Sequence, residues 1–98
     1  MSQSTCHIGI LYLELFIPES QSLKDKRHVI KSLKDKARQK FNVSAAEIGN
    51  LDKWQISVLA FVMAGNDQKH IDQSLQSIVQ FAQSNYPVQV SSQQMEFV

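Results

Sequence analysis

The segment Ser22–Phe41, SLKDKRHVIKSLKDKARQKF, decides how this 98-residue chain is organised. Its apolar residues recur at the spacing of one face of an amphipathic helix: Leu23, Ile30, Leu33, Ala37 and Phe41. Cations at steps of three and four residues form a stripe beside that face: Lys24, Arg27, Lys31, Lys34 and Arg38. The segment therefore predicts one long helix with a buried face and a neighbouring basic face.

This helix also holds most of the basic charge of the chain. It carries eight Lys and Arg residues against two Asp residues, a local balance of +6, whereas the whole chain has a formal net charge of +1. Such a local concentration of cations is typical of a surface that contacts phosphates. A solvated helix face explains the same pattern equally well, because Lys and Arg are ordinary surface residues.

Apolar runs on both sides of the helix predict strands. Residues 6–17, CHIGILYLELFI, are apolar at both alternating sets of positions, which indicates a central strand covered on both faces. Residues 54–64, WQISVLAFVMA, predict a second interior strand that begins at Trp54. The weaker alternation of residues 42–50 predicts an edge strand, and the turn-forming residues 49–53, GNLDK, close a hairpin between these two strands.

A second helix and a last strand complete the pattern. Apolar residues at steps of four, three and four predict a helix capped near Asp67 and ended near Asn85, and Val88 begins a strand that is less sharply defined over residues 91–98. The order is strand, helix, strand, strand, helix, strand. Right-handed crossovers then predict an α+β fold, the ferredoxin-like βαββαβ sandwich, with an antiparallel four-stranded sheet and two helices on one face.

The face of the sheet without helices is predicted to be apolar as well. Tyr12 and Phe16 belong to the second alternating set of the first strand, and Trp54 lies at the start of the third. An apolar open face indicates a homodimer, and aromatic side chains there also fit base stacking. Core packing or a dimer interface is the better interpretation of the three aromatics, because the basic-aromatic motif of the RNA-recognition fold is missing.

Lys26 falls inside the apolar arc of the first helix. A cation at a core-facing position either extends to solvent or pairs with a carboxylate. We expect a structural ion pair with Glu14 or Glu47, and Lys26 with Glu47 is the pair we select.

Composition narrows the class of protein. One domain over residues 1–98, with a polar N-terminal arm at residues 1–5, fits the length, and neither a targeting signal nor a membrane span is apparent. The single Cys6 favours the cytoplasm, and His7, His28 and His70 lack metal-ligand spacing. We therefore expect no metal, no cofactor, no membrane partner, no recognition of DNA sequence and no enzymatic activity.

Two further segments are similar to a known family. The box SLKDKR at residues 22–27 and the pattern FNVS, AE, D and WQ within residues 41–55 resemble the YlxP-like family, a group of small bacterial proteins classed as a domain of unknown function. The similarity runs from Ile8 to about Ala82, and the chain departs from the family in its longer N-terminal arm and its Gln-rich second helix. The resemblance implies a ferredoxin-like fold that is often dimeric, an association with RNA or the ribosome, and no established enzyme activity.

Together these observations predict a non-catalytic binding module that contacts RNA or a ribosomal subunit through the basic face of the first helix. The alternative is a dimeric structural or regulatory protein that binds another protein through its sheet and its basic helix.

Overall fold

The computed structural model describes residues 4–98. Six elements follow one another along the chain: β1 (His7–Phe16), α1 (Leu23–Lys40), β2 (Ser44–Gly49), β3 (Ile56–Gly65), α2 (Gln68–Asn85) and β4 (Gln89–Phe97). The strands form one antiparallel sheet in the order β2-β3-β1-β4. The ferredoxin-like α+β fold is therefore confirmed, with β1 and β3 as its central pair.

Both helices begin at capping residues that the sequence contains. The side chain of Ser22 accepts a hydrogen bond from the backbone N–H of Asp25 at 3.0 Å, and the Asp25 carboxylate accepts one from the N–H of Gln21. The side chain of Asp67 accepts a hydrogen bond from the N–H of Lys69. The Ser22 and Asp67 side chains satisfy N–H groups of the first helical turn, so both helix starts lie close to their predicted positions.

The core lies between the helices and one face of the sheet. Odd-numbered residues of β1 and β3 face the helices, and those from Gly9 to Leu15 and from Ser57 to Met63 are buried. α2 crosses β1 closely at Gly9, where an added Cβ would lie 2.6 Å from the side chain of Ile71. The even-numbered residues of the same strands form the opposite face, which the helices do not cover.

The prediction that Trp54 begins the third strand is wrong. β3 begins at Ile56, and Trp54 lies in the preceding loop, where the residue is 56% exposed. That loop starts with Asn50, which has a φ of 58°, and a hydrogen bond from Lys53 N to the Asn50 carbonyl oxygen closes the turn. Trp54 therefore belongs to this loop, although by residue type alone it is typical of strands.

The last strand, β4, extends beyond Val90 and ends at Phe97. Its polar residues 91–94 remain in β4, and one register shift opposite Glu14 and Leu15 accommodates Ser91. Because β4 is an edge strand, these polar side chains stay exposed without loss of pairing.

Of the predicted N-terminal arm, residues 1–3 lie outside the described residues, and Ser4 and Thr5 are exposed. No helix within residues 4–98 is long and apolar enough to cross a membrane.

Candidate functional site

The basic stripe, defined as Lys24, Arg27, Lys31, Lys34 and Arg38, lies along the side of α1 that borders the edge strand β2. Ile30, Leu33 and Ala37 anchor the helix in the core, and the stripe lies about a third of a turn around from them. The guanidinium Nη2 of Arg38 donates to the carbonyl oxygen of Ala45 in β2 at 2.7 Å. The stripe and the edge of the sheet therefore form one continuous surface.

Four of the five stripe residues line a depression of about 380 Å³ between α1 and β2. Its lining comprises Arg27, Lys31, Lys34 and Arg38 with Ile30, Asp35 and Glu47. The depression thus brings four stripe cations together with two carboxylates, Asp35 and Glu47.

Asp35 partly neutralises this surface. Its carboxylate accepts hydrogen bonds from Lys31 Nζ at 2.7 Å and from Arg38 Nη1 at 2.9 Å. The hydrogen bond from Lys31, followed by the positive charges of Lys31, Arg38 and Lys34, outweighs partial desolvation and lowers the pKa of Asp35 below its ordinary value of 3.8. Two stripe cations therefore share one carboxylate.

The other three stripe residues make no salt bridge within the part of the chain that the structure describes. Lys24 and Arg27 are exposed and Lys34 is half-buried. Outside residues 22–41, the sequence contains two Lys and Arg residues against seven Asp and Glu residues, a balance of −5. The molecule is therefore strongly asymmetric in charge, and this helix is its basic side.

Lys26 does not belong to the basic face. Its side chain is fully buried, and Nζ lies 3.0 Å from Glu47 Oε2, 2.7 Å from the carbonyl oxygen of Asn50 and 3.2 Å from that of Ile56. The structure thus brings Lys26 to Glu47, whereas Glu14 lies on the face of the sheet away from the helices. With its three donors occupied, Lys26 fastens the β2–β3 hairpin to α1 and is not available to a ligand.

Ser57 completes this network and was missed by the sequence analysis. Its hydroxyl donates to Glu47 Oε2 at 2.7 Å, and the residue is fully buried. Ser57 alternates with Leu59, Phe61 and Met63 on the face toward the helices. A hydroxyl at such a position needs a hydrogen-bonding partner, so the signal was present in the sequence.

The three aromatic residues that the sequence analysis singled out are not on one surface element. Tyr12 and Phe16 are half-buried on the side of the sheet away from the helices, about 13 Å apart along β1, and Glu14 lies between them. Trp54 lies in the β2–β3 loop and lines a depression together with Phe16 and Ile56. No Lys or Arg of residues 4–98 lies in a strand on that side of the sheet. The strands therefore favour apolar contact, whereas the depression at Trp54, which Lys53 also lines, combines aromatic side chains with a cation.

The three histidines lie on separate elements, with His7 on β1, His28 on α1 and His70 on α2. Among residues 4–98, no group of three His, Cys, Asp or Glu side chains has the geometry to hold a metal ion.

Comparison with known proteins agrees with the motifs noted above. Residues 8–95 match the family described as "Protein of unknown function (DUF503)". The "Uncharacterized protein YlxP" of Bacillus subtilis (strain 168) is 34% identical over 77 residues, which cover 79% of this chain and 84% of that relative. Among solved structures, the "De novo designed protein Foldit4" has a TM-score of 0.53 over 94% of this chain and 96% of that chain. Its 11% sequence identity makes this a likeness of fold alone. The family match and the YlxP relative together show that this chain belongs to the DUF503 family of proteins of unknown function.

Proposed function

We propose that this protein is a non-catalytic binding module of the cytoplasm that binds RNA, in the context of a ribosomal subunit, through the basic stripe of α1. The observation that supports the proposal most directly is the local charge of +6 on residues 22–41 against −5 on the remainder of the chain. Such an arrangement orients the helix toward a polyanion and turns the acidic remainder of the molecule away from it.

The stripe has the dimensions to follow a phosphate backbone. From Lys24 to Arg38 it runs along 14 residues of helix, or about 21 Å. Lys24, Arg27 and Lys34 are without salt-bridge partners among residues 4–98, whereas Lys31 and Arg38 must give up Asp35 to bind a phosphate. For a single-stranded RNA, three contacts give a slope of log affinity against log salt of about −2, and five contacts give about −3.5.

The test is a fluorescence-anisotropy titration of single-stranded RNA, and of ribosomal subunits, at two salt concentrations. The triple variant K24E/R27E/K34E should lose binding, because it replaces each stripe cation that lacks a salt bridge within residues 4–98. The matched control K36E/K53E/K69E makes the same change in net charge at exposed positions outside the stripe. The control should retain most of the affinity.

Equal loss in both triple variants would mean that only the overall charge matters, and unchanged binding in the first would refute the role of the stripe. Circular dichroism of both variants establishes that the fold is intact.

A second candidate function is assembly with another protein through the sheet and the basic helix. The apolar side chains on the open side of the sheet favour it, since Ile8, Ile48 and Ile56 are exposed there. Absence of RNA binding at low salt, together with binding to an acidic protein, would select this candidate over the first.

A further inference from the structure

Trp54 is the one exposed aromatic residue within residues 4–98, and the other aromatic residues are half-buried or buried. A single exposed apolar side chain is ordinary on a protein surface. Trp54 differs because it is held on a loop of fixed geometry, beside a depression and at one end of the basic stripe. These three features together indicate a ligand for the ring.

Hydrogen bonds hold the backbone on both sides of Trp54. Before it, Lys26 Nζ donates to the carbonyl oxygen of Asn50 at 2.7 Å. After it, the carbonyl oxygen of Gln55 accepts from the N–H of Ile17 at 2.7 Å, and Gln55 Nε2 donates to two carbonyl oxygens of the loop after β1 at 3.0 and 3.2 Å. The loop that carries the ring is therefore ordered before any ligand binds, which lowers the entropic cost of binding.

The depression beside Trp54 suits a flat, uncharged group. Its volume is about 380 Å³, and the side chains that line it with Trp54 are Phe16, Asp52, Lys53, Gln55 and Ile56. Asp52 and Lys53 have opposite charges, so the depression has no excess of cations to bind a phosphate. A nucleobase fits this lining, because it has a π face for stacking and polar edges for hydrogen bonds.

The depression and the start of the basic stripe lie at the same end of the molecule. β1 ends at Phe16 and α1 begins at Leu23, and the contact of Lys26 Nζ with the Asn50 carbonyl oxygen brings the β2–β3 loop to the first turns of α1. The stripe begins in the same turns, at Lys24. A strand that follows the stripe toward the start of α1 therefore leaves the helix beside the loop that carries the ring.

The other end of the stripe offers no comparable ring. Phe41 and Phe81 pack edge to face there, with ring centroids 6.2 Å apart, and Lys40 Nζ lies 5.1 Å from the centroid of Phe81. Both rings are half-buried. Their faces already contact a cation or each other, so a base is better accommodated at Trp54.

We propose that Trp54 stacks on an unpaired base of the RNA strand whose phosphates the basic stripe binds. The inference rests on the proposed function and makes its ligand more specific, since the RNA must be single-stranded at the loop end of the stripe. A double helix keeps its bases stacked on one another and offers no free face to the ring. The protein should therefore bind a single strand more tightly than a duplex of the same charge.

Trp54 is the single tryptophan of the chain, so its fluorescence reports on the ring directly. An oligo(U) of about 12 nucleotides, within the usual length bound by one small domain, should quench the emission of the wild-type protein. Inorganic polyphosphate of matched charge should compete with the RNA for the stripe but leave the emission unchanged, because it has no base to stack.

Trp54→Ala should weaken oligo(U) binding about 5- to 150-fold, the effect of one base stacked on an aromatic ring. The slope of log affinity against log salt should stay the same, because stacking releases no counterion. Trp54→Phe keeps a ring and should retain most of the affinity. Leu51→Ala is the matched control, because it removes another exposed apolar side chain from the same loop, and it should leave RNA affinity unchanged.

Unchanged RNA affinity in Trp54→Ala, or unquenched emission of the wild-type protein with bound oligo(U), would overturn the inference while RNA binding by the stripe still stands. Quenching by polyphosphate as strong as that by oligo(U) would also overturn it, because the emission would then report a change of shape. Absence of RNA binding at low salt would refute the proposed function itself. Quenching is measured on the wild-type protein, so the inference stays testable if Trp54→Ala fails to fold.

Discussion

Replacement of Lys26 by Met should destabilise the fold more than any change on the basic stripe. Met retains most of the aliphatic stem but removes the ammonium group, whose three donors reach Glu47, Asn50 and Ile56. The carboxylate of Glu47, whose side chain is 12% exposed, then loses its cation, and two backbone carbonyls lose a donor. Removal of one partner from a buried ion pair costs about 3–5 kcal/mol. That is a large share of the roughly 5–15 kcal/mol that holds an ordinary domain folded.

Urea unfolding followed by circular dichroism measures this loss. The control K36M removes an exposed Lys from the same helix and should change the free energy of unfolding by less than about 0.5 kcal/mol. If K26M is too unstable to measure, E47Q provides the second estimate. It leaves an oxygen for Ser57 but deprives the fully buried Lys26 ammonium of its carboxylate, so it should also cost about 3–5 kcal/mol.

The double variant K26M/E47Q distinguishes an ion pair from simple packing. Because it leaves no uncompensated charge, it should cost less than the sum of the two single changes. A loss below about 1 kcal/mol for K26M, or strictly additive losses, would refute the view that this buried pair fastens the hairpin to α1.

Further predictions concern Asp35 and Ser57. Asp35→Asn releases Lys31 and Arg38, so RNA affinity at low salt should rise about two- to tenfold in anisotropy titrations, and a weaker complex would contradict the proposed contacts. The Asp35 carboxyl should titrate below 3.8 by NMR, and Lys31→Met should raise its pKa toward that value. The pKa of Asp35 is lower in the folded state than in the unfolded state. Its carboxylate therefore stabilises the fold fully at pH values above the unfolded-state pKa, and this stabilisation is lost as the pH falls through the folded-state pKa. Ser57→Ala should cost about 1–2 kcal/mol in urea unfolding, since Glu47 loses a buried hydrogen bond, and a neutral result would show that the hydroxyl is not needed.

The sequence predicted the features that depend on local spacing. The start of α2 followed from Asp67, because a cap is a contact within one turn, whereas for α1 both Ser20 and Ser22 were candidates and the structure has Ser22 as the cap. The burial of Lys26 followed from its place in the apolar arc. Selection of Glu47 over Glu14 was a preference rather than a derivation, because both alternating sets of β1 are apolar and the pattern alone does not show which set faces the helices.

Features that depend on the loops and on tertiary contacts were harder to predict. Trp54 resembles the start of a strand by residue type, but the turn at Asn50 moves the strand start to Ile56. The contact of Arg38 with Ala45 also lay beyond the sequence, since it requires the position of α1 against the sheet edge. Asp35 is different, because its spacing of four and three residues from Lys31 and Arg38 is a standard helical pairing that the sequence contains.

The central claim is that the basic stripe is a phosphate-binding surface, and the salt dependence of RNA binding tests it most directly. The account predicts a slope of log affinity against log salt between about −2 and −3.5 for the wild-type protein, and no measurable binding for K24E/R27E/K34E. A slope near zero, or an equal slope in the wild-type protein and this folded variant, would contradict it.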